Sequence, residues 1–214
     1  MTEPPFVPAY RFDDVHRLGS GFLGGAHRAF FVNIPKNASS SLAHLLLSAG
    51  FRYTTAFHSR PVPAGYTVFA VARDPVSRWV SGVYEYATTV ARRPPEELVV
   101  EQLRRLHDGT FEPLDQHLTP QHTFLLPTAP VTRWLCFERL ADDYRALAAE
   151  LGLPDTLRRD NRMDPTTAGR LGDLLTDDDH TRIRRFYADD VRLHALVTRA
   201  GAGTEADRVV PAPR

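Results

Sequence analysis

Apolar positions in this chain follow two rhythms that alternate along its length. Continuous apolar runs of strand length occupy about 29–34 (Ala29-Phe30-Phe31-Val32-Asn33-Ile34) and 66–72 (Tyr66-Thr67-Val68-Phe69-Ala70-Val71-Ala72). Such runs read as strands buried on both faces of a parallel sheet. Residues 51–58 and 131–137 read as two further strands. Between these lie stretches with helical spacing. Leu42, Leu45 and Leu46 share one face of a helix predicted over about 39–49. Pro75 is placed as the first residue of a helix running to about 91, and another follows Pro94-Pro95 with Glu96, Glu97, Arg104 and Arg105 on its solvated face. Residues 139–151 and 176–199 read as amphipathic helices, the first stopped by Gly152-Leu153-Pro154. Strands alternating with helices predict an α/β fold: a single-domain three-layer sandwich, its central sheet mostly parallel, with helices on both faces. Residues 1–28 read as an approach segment rich in proline and glycine, 29–200 as the domain, and 201–214 as a polar tail.

Composition narrows the class. With 214 residues, 43% of them hydrophobic, the chain can bury one sizeable core. Its formal net charge is zero, so bulk attraction to nucleic acid or to an acidic membrane is not expected. The single cysteine, Cys136, argues against an internal disulfide framework and a cysteine-based metal cluster. Met1-Thr2-Glu3-Pro4-Pro5-Phe6 lacks the basic and apolar regions of a leader, and no run has the length of a membrane span. The expectation is a soluble, cytoplasmic protein.

The chemistry concentrates at two places. Lys36 is the only lysine in the chain, and it stands between the strand at 29–34 and the helix at 39–49, in Ile34-Pro35-Lys36-Asn37-Ala38-Ser39-Ser40-Ser41-Leu42. A strand feeding a helix N-terminus leaves backbone N–H groups pointing one way, beside the positive end of the helix dipole. A lysine and three serines there add a mobile cation and hydroxyl donors, a set suited to a phosphate-like anion. Codon bias explains the scarcity of lysine but not its placement. The second place is Val71-Ala72-Arg73-Asp74-Pro75-Val76-Ser77-Arg78-Trp79-Val80-Ser81-Gly82-Val83-Tyr84. Arg73 ends a central strand, where open α/β sheets place their ligands. Ser77, Ser81 and Tyr84 fall roughly on one helix face, so Arg73 and Ser81 can grip one phosphate from two sides. Asp74 can cap that helix or orient an arginine.

Two nucleotide motifs fail on context. Gly19-Ser20-Gly21-Phe22-Leu23-Gly24 has the G-x-G-x-x-G spacing but follows no strand and opens no helix, so it reads as a loop. There is no G-x-x-x-x-G-K-[ST] run, because Lys36 precedes the small residues.

Taken together, I-P-K-x-A-S-S-S-L and V-x-R-D-P-x-x-R-x-x-S-x-x-Y resemble the sulfotransferase superfamily, and within it the carbohydrate and heparan-type branch that uses 3'-phosphoadenosine 5'-phosphosulfate (PAPS). The resemblance implies a P-loop-NTPase-like sulfotransferase fold and transfer of a sulfuryl group to a hydroxyl of a small molecule or glycan. The product nucleotide would be 3'-phosphoadenosine 5'-phosphate (PAP). It further implies that Pro35, Lys36, Asn37, Ala38, Ser39, Ser40 and Ser41 form the 5'-phosphosulfate loop, with Lys36 on the bridging oxygen. Arg73 and Ser81 would take the 3'-phosphate. Asp115 to Gln121, Phe137 to Leu140 and Phe186 to Asp190 are similar to later family blocks. Ala38 departs from the pattern, since many members have glycine there, and a methyl group suits that place only if φ is not positive.

Sulfuryl transfer depends on in-line positioning and on stabilising charge at the leaving oxygen, with a base to take the acceptor's proton. Three bases stay open. His58 ends the 51–58 strand, and the heparan-type branch has a histidine base at a similar place. Glu85 follows the 3'-phosphate segment, and a glutamate base occurs elsewhere in the superfamily. His117, like His122, lies in a proline-flanked stretch. The basic loop Arg158, Arg159, Asn161 and Arg162 either folds over the nucleotide or is a solvated surface, and Arg162 is included among the cofactor ligands. Glu138 reads as a residue that pins a helix, Tyr187 and Asp190 as packing and helix-stabilising residues, and Trp79 and Trp134 as core. No metal is called for, because Lys36, arginines and helix N-termini can meet the cofactor's charge. The rivals are a small-molecule kinase with an atypical phosphate loop and a non-catalytic nucleotide-binding protein of the same fold. The absence of an anchor and of disulfides favours an intracellular bacterial enzyme tailoring a natural product or a cell-surface precursor.

Overall fold

A computed structural model of the chain describes residues 20–58, 60–157 and 163–200. Among them, five strands form one mixed sheet in the order β3-β1-β2-β4-β5, and seven α-helices accompany it. The strands are β1 (Gly21–Gly24), β2 (Ala29–Val32), β3 (Arg52–Thr54), β4 (Thr67–Ala72) and β5 (Arg133–Cys136). The helices are α1 (Ser39–Ser48), α2 (Pro75–Glu85), α3 (Pro95–His107), α4 (Leu140–Leu151), α5 (Pro165–Gly172), α6 (Asp177–Phe186) and α7 (Ala188–Ala200).

Strand alternation decides what covers the sheet. Phe31, Phe69, Val71 and Leu135 pack with Leu42 and Leu46 of α1 and with Tyr144 and Leu147 of α4. Their neighbours in sequence turn the other way: Phe30, Val32, Val68 and Ala70 meet Phe57 and Phe124, and Ala72 and Cys136 meet Leu193 and Val197 of α7. A separate apolar cluster joins α2, α3, α5 and α6 around Trp79, which is core as expected. Among the described residues no helix is long and apolar enough to cross a membrane.

The expected mostly parallel sheet is corrected to a mixed one. The cause is β1, which runs antiparallel between β2 and β3, pairing Gly21 with Val32 and Thr54. The Gly21–Gly24 run that reads as a loop is therefore an interior strand, and the sheet begins inside the supposed approach segment. Glycine is required there. A β-carbon on Gly21 would come 2.2 Å from the Phe31 carbonyl oxygen, and one on Gly24 would come 2.5 Å from the Phe51 ring. Three more boundaries shift. The 51–58 strand ends at Thr54 and gives way to a 3-10 turn over Ala56–His58. The helix beginning at Pro75 becomes π-helical over Tyr86–Ala91. The 176–199 helix is two helices broken at Tyr187. Helix α5 and a 3-10 turn at Gln121–Phe124 are additional elements. The tail at 201–214 lies outside the described residues.

This topology has one switch point. From β2 the chain passes through α1 to β3 on one side of the sheet, and from β4 it passes through α2 and α3 to β5 on the other. β2, β4 and β5 are parallel, so their C-terminal ends share one edge. The crevice between the ends of β2 and β4 is where open α/β sheets hold ligands.

Candidate functional site

Lys36 follows β2 and Arg73 follows β4, so the switch point brings the two singled-out cations together. Arg73 donates from Nη1 to the Lys36 carbonyl at 2.8 Å and from Nε to Ser77 Oγ at 3.0 Å. Its guanidinium lies 4.1 Å from the centroid of the Phe137 ring, in cation–π contact. Beneath the same turn, Arg78 donates from Nε to the Pro35 carbonyl at 3.2 Å. Both carbonyls of the Pro35-Lys36 turn are thus drawn toward guanidinium groups. In a trans peptide the N–H points opposite to the C=O, so the Lys36 amide faces away from Arg78.

The turn itself is tight. The Asn37 amide donates to the Ile34 carbonyl at 3.3 Å, and Lys36 has φ of 67°. Proline followed by a residue of positive φ is the type II turn pattern. Ala38, the N-cap of α1, also has φ of 60°, and no side chain caps that helix. The condition placed on the alanine departure therefore fails, because Ala38 occupies the left-handed region that suits glycine. Two strained residues immediately ahead of an uncapped helix start place Ser39, Ser40 and Ser41, the first turn of α1, at the switch point. The left-handed region costs an L-residue ~1–2 kcal/mol, of which glycine's freer unfolded chain returns ~0.4–1 kcal/mol. Ala38→Gly should accordingly raise stability by about 0.5–1 kcal/mol. Urea denaturation checks this, and a loss of stability would contradict the assigned strain.

Polar side chains below the turn fix it in place. Asn37 Nδ2 donates to the Val71 carbonyl at 2.6 Å and to Gln121 Oε1 at 2.7 Å. Gln121 also clasps the Arg73 backbone, accepting from its N–H at 3.2 Å and donating to its carbonyl at 2.9 Å. Asp190, fully buried, accepts from the Gln121 and His122 amides at 2.8 and 2.9 Å and pairs with His122 Nδ1 at 2.7 Å. That bond is the main reason the His122 pKa is raised. Asp190, expected to stabilise its own helix, secures a segment 69 residues away in sequence.

Three cations, Lys36, Arg73 and Arg78, meet at the site, and the carboxylates of Glu85, Glu138, Asp74 and Asp190 act on them. Burial is the largest influence on Lys36 and pushes its pKa down; Glu85 opposes that shift, and Arg73 and Arg78 add to it. Burial likewise lowers Arg73, to about 10, and lowers Arg78. Lys36 Nζ forms an ion pair with Glu85 Oε2 at 3.3 Å. Arg78 is 1% exposed. Among the described residues its Nη2 and the Asn37 Oδ1 are buried without a hydrogen-bond partner. The arrangement can take up a polyanion.

Helix α2 lines the crevice. Ser77 contacts Arg73 and Glu85 contacts Lys36, so Ser81, midway at the i, i+4, i+8 spacing, lies on the same face. Asp74 caps α2 by accepting from the Ser77 amide at 2.9 Å, as expected. Next to Ser81, a β-carbon on Gly82 would come 2.5 Å from the His117 carbonyl oxygen, so glycine admits the 117–118 segment against α2. His117 is buried, with Nδ1 paired to Asp115 Oδ2 at 2.8 Å. His58 closes a 3-10 turn instead of ending a strand, and its side chain lies outside the described residues. Arg162 and the rest of loop 158–162 also lie outside them. Glu138 pins a helix as expected: it accepts from the Asp74 amide at 2.9 Å and pairs with His194 of α7 at 3.0 Å. Burial works against its charge, but hydrogen bonds from His194, the Asp74 amide and Cys136 hold its pKa down at about 2.

Arg78 and Gln121 are the residues that sequence reasoning did not assign to the site. For Arg78 the available signal is its place as the second arginine of V-x-R-D-P-x-x-R-x-x-S-x-x-Y, where it was given no role.

Comparison of the chain with protein-family models, with curated proteins and with solved structures returns no match.

Proposed function

We propose that this chain is a PAPS-dependent sulfotransferase of P-loop-NTPase-like fold, acting on a hydroxyl of a small molecule or glycan. The observation that carries the reading is the pair of cationic corners, Lys36 and Arg73, at the ends of adjacent parallel strands on either side of the topological switch. Two separate anion-binding corners suit a nucleotide phosphorylated at both ends. Lys36 with the amides and hydroxyls of Ser39, Ser40 and Ser41 would hold the 5' end, and Arg73 with Ser81 the 3'-phosphate. The buried Arg78 Nη2, which has no hydrogen-bond partner among the described residues, fits a polyanion above it, because a buried donor left unpaired is costly.

When bound, PAPS supplies the sulfuryl group, and its S–O bond to the 5'-phosphate is the one that breaks. Lys36 neutralises the charge that gathers on the leaving oxygen, in a site whose burial strengthens the interaction. Glu85, a base candidate held in an ion pair with Lys36, takes the acceptor's proton. Glu85→Gln should keep nucleotide binding and lower turnover by about 10²–10⁴-fold. Near-normal turnover in that variant transfers the role to His58 or to the Asp115-held His117.

Calorimetry with PAP beside adenosine 5'-phosphate tests the reading. PAP should bind the wild type ~10–100-fold more tightly, as charge-assisted bonds of ~1.5–3 kcal/mol to one further phosphate require. Arg73→Ala should lose most of that preference. Equal binding of the two nucleotides by the wild type would remove the 3'-phosphate site and favour the kinase alternative.

A further inference from the structure

Beside this crevice three side chains converge: Cys136 at the end of β5, Glu138 in the 3-10 turn Phe137–Arg139 that follows, and His194 of α7. Glu138 Oε2 lies 3.0 Å from Cys136 Sγ and 3.0 Å from His194 Nε2. The three ligand-type atoms all fall within 4.8 Å of one another. We infer that Cys136, Glu138 and His194 form a binding site for a single zinc-like divalent transition metal, one that ties α7 to the end of β5.

Ligand chemistry and geometry point the same way. A thiolate, an imidazole and a carboxylate are the three donor types that zinc accepts, at about 2.3, 2.0–2.1 and 2.0–2.2 Å, so neighbouring donors around a tetrahedral ion stand about 3.3–3.6 Å apart. The observed 3.0 Å separations need to open by only a few tenths of an ångström to admit an ion. Thiolate and imidazole together favour zinc over magnesium or calcium, which take oxygen donors.

The supporting contacts are those of a metal carboxylate. Glu138 Oε1 is occupied by the Asp74 amide at 2.9 Å, which leaves Oε2 to act as a single donor directed at the other two ligands. Cys136 is buried, its amide held by Asp143 Oδ2 at 2.7 Å, and Asp143 is fixed in turn by Arg139. The thiol's backbone is therefore rigid. The carboxylate side of the site is the open one, with 41% of the Glu138 side chain exposed against 20% for His194, so a fourth ligand would come from the solvent side. One thiolate is not the multi-cysteine cluster that the composition argues against. The site does not depend on what binds at Lys36, but Glu138 joins the two places through Asp74, the cap of α2.

Cobalt substitution gives a direct test, because the chain has one cysteine. Titrating metal-free protein with Co²⁺ should produce a thiolate-to-cobalt charge-transfer band that saturates at one equivalent and is displaced by Zn²⁺. Cys136→Ser should abolish the band, and His194→Ala should weaken binding at least 10-fold. Arg93→Ala, a change at an exposed ion pair remote from the three ligands in sequence, should leave the band unchanged. Absence of the band in folded wild type would overturn the inference. So would a band that saturates at half an equivalent, since two chains would then share the ion, or one unaltered in both His194→Ala and Glu138→Gln. The wild-type titration decides the matter even if Cys136→Ser does not fold.

Discussion

Lys36→Ala is expected to lower turnover by about 10²–10³-fold or more, the usual cost of removing one preorganised donor from a developing oxyanion. The effect belongs to chemistry more than to binding. In the proposed site Lys36 contributes one of three cations, and Arg73 and Arg78 would remain to hold phosphate. The change also keeps a β-carbon on a residue of φ 67°, so the turn is not relieved of strain and should hold its shape. Lys36→Arg sharpens the test. Charge persists, so nucleotide affinity should fall less than 10-fold, yet the planar guanidinium cannot place a point charge where a compact ammonium sits, so turnover should still drop. Single-turnover kinetics with PAPS and direct binding of PAP separate the two effects. An alanine variant that loses affinity in proportion to turnover would make Lys36 a binding residue and not a leaving-group stabiliser.

Asp190→Ala should have the largest effect on stability. The carboxylate is fully buried and satisfies two amides and the His122 ring. Burial lowers the Arg78 pKa, and Asp190 is the largest influence opposing that shift. Removing one partner of such a buried network leaves the others uncompensated and typically costs ~3–5 kcal/mol. Against a total stability of ~5–15 kcal/mol for a domain, this is a large share. For a chain of this size it lowers Tm by about 10 °C. Asp189→Ala, one residue away, is the control: its contacts are with exposed Arg192 and the rim of His122, and a loss below ~1 kcal/mol is expected. Calorimetric unfolding of both variants checks the contrast. Asp190→Ala should also weaken PAP binding in whatever remains folded, because Gln121 links Asp190 to the Arg73 backbone and to Asn37.

How much was legible depended on whether the signal was local. β4 announces itself as six residues without a polar side chain other than Thr67. The helix starting at Pro75 announces itself through Asp74 and Pro75, and both behave as their chemistry dictates. β1 was hidden because its glycines answer to distant partners, the Phe31 carbonyl and the Phe51 ring, and a glycine-rich run carries little periodicity of its own. Its insertion between β2 and β3 is also what makes the sheet mixed. The two corners of the candidate site were readable as Lys36 and Arg73, since strand ends and helix starts are local features. Their supports were not. Arg78 looks like a solvated arginine on an amphipathic helix, and only the packing of α2 under the Pro35 turn buries it. Ala38 at positive φ contradicts what its side chain prefers, a conflict that propensity along the chain does not reveal.

Side-by-side calorimetric titration of the wild-type protein with PAP and with ATP–Mg²⁺ tests the central claim most directly. The two-corner account predicts tight, single-site, metal-independent binding of PAP, and ATP–Mg²⁺ binding weaker by at least 10-fold. Tight ATP–Mg²⁺ binding with indifference to the 3'-phosphate would contradict it.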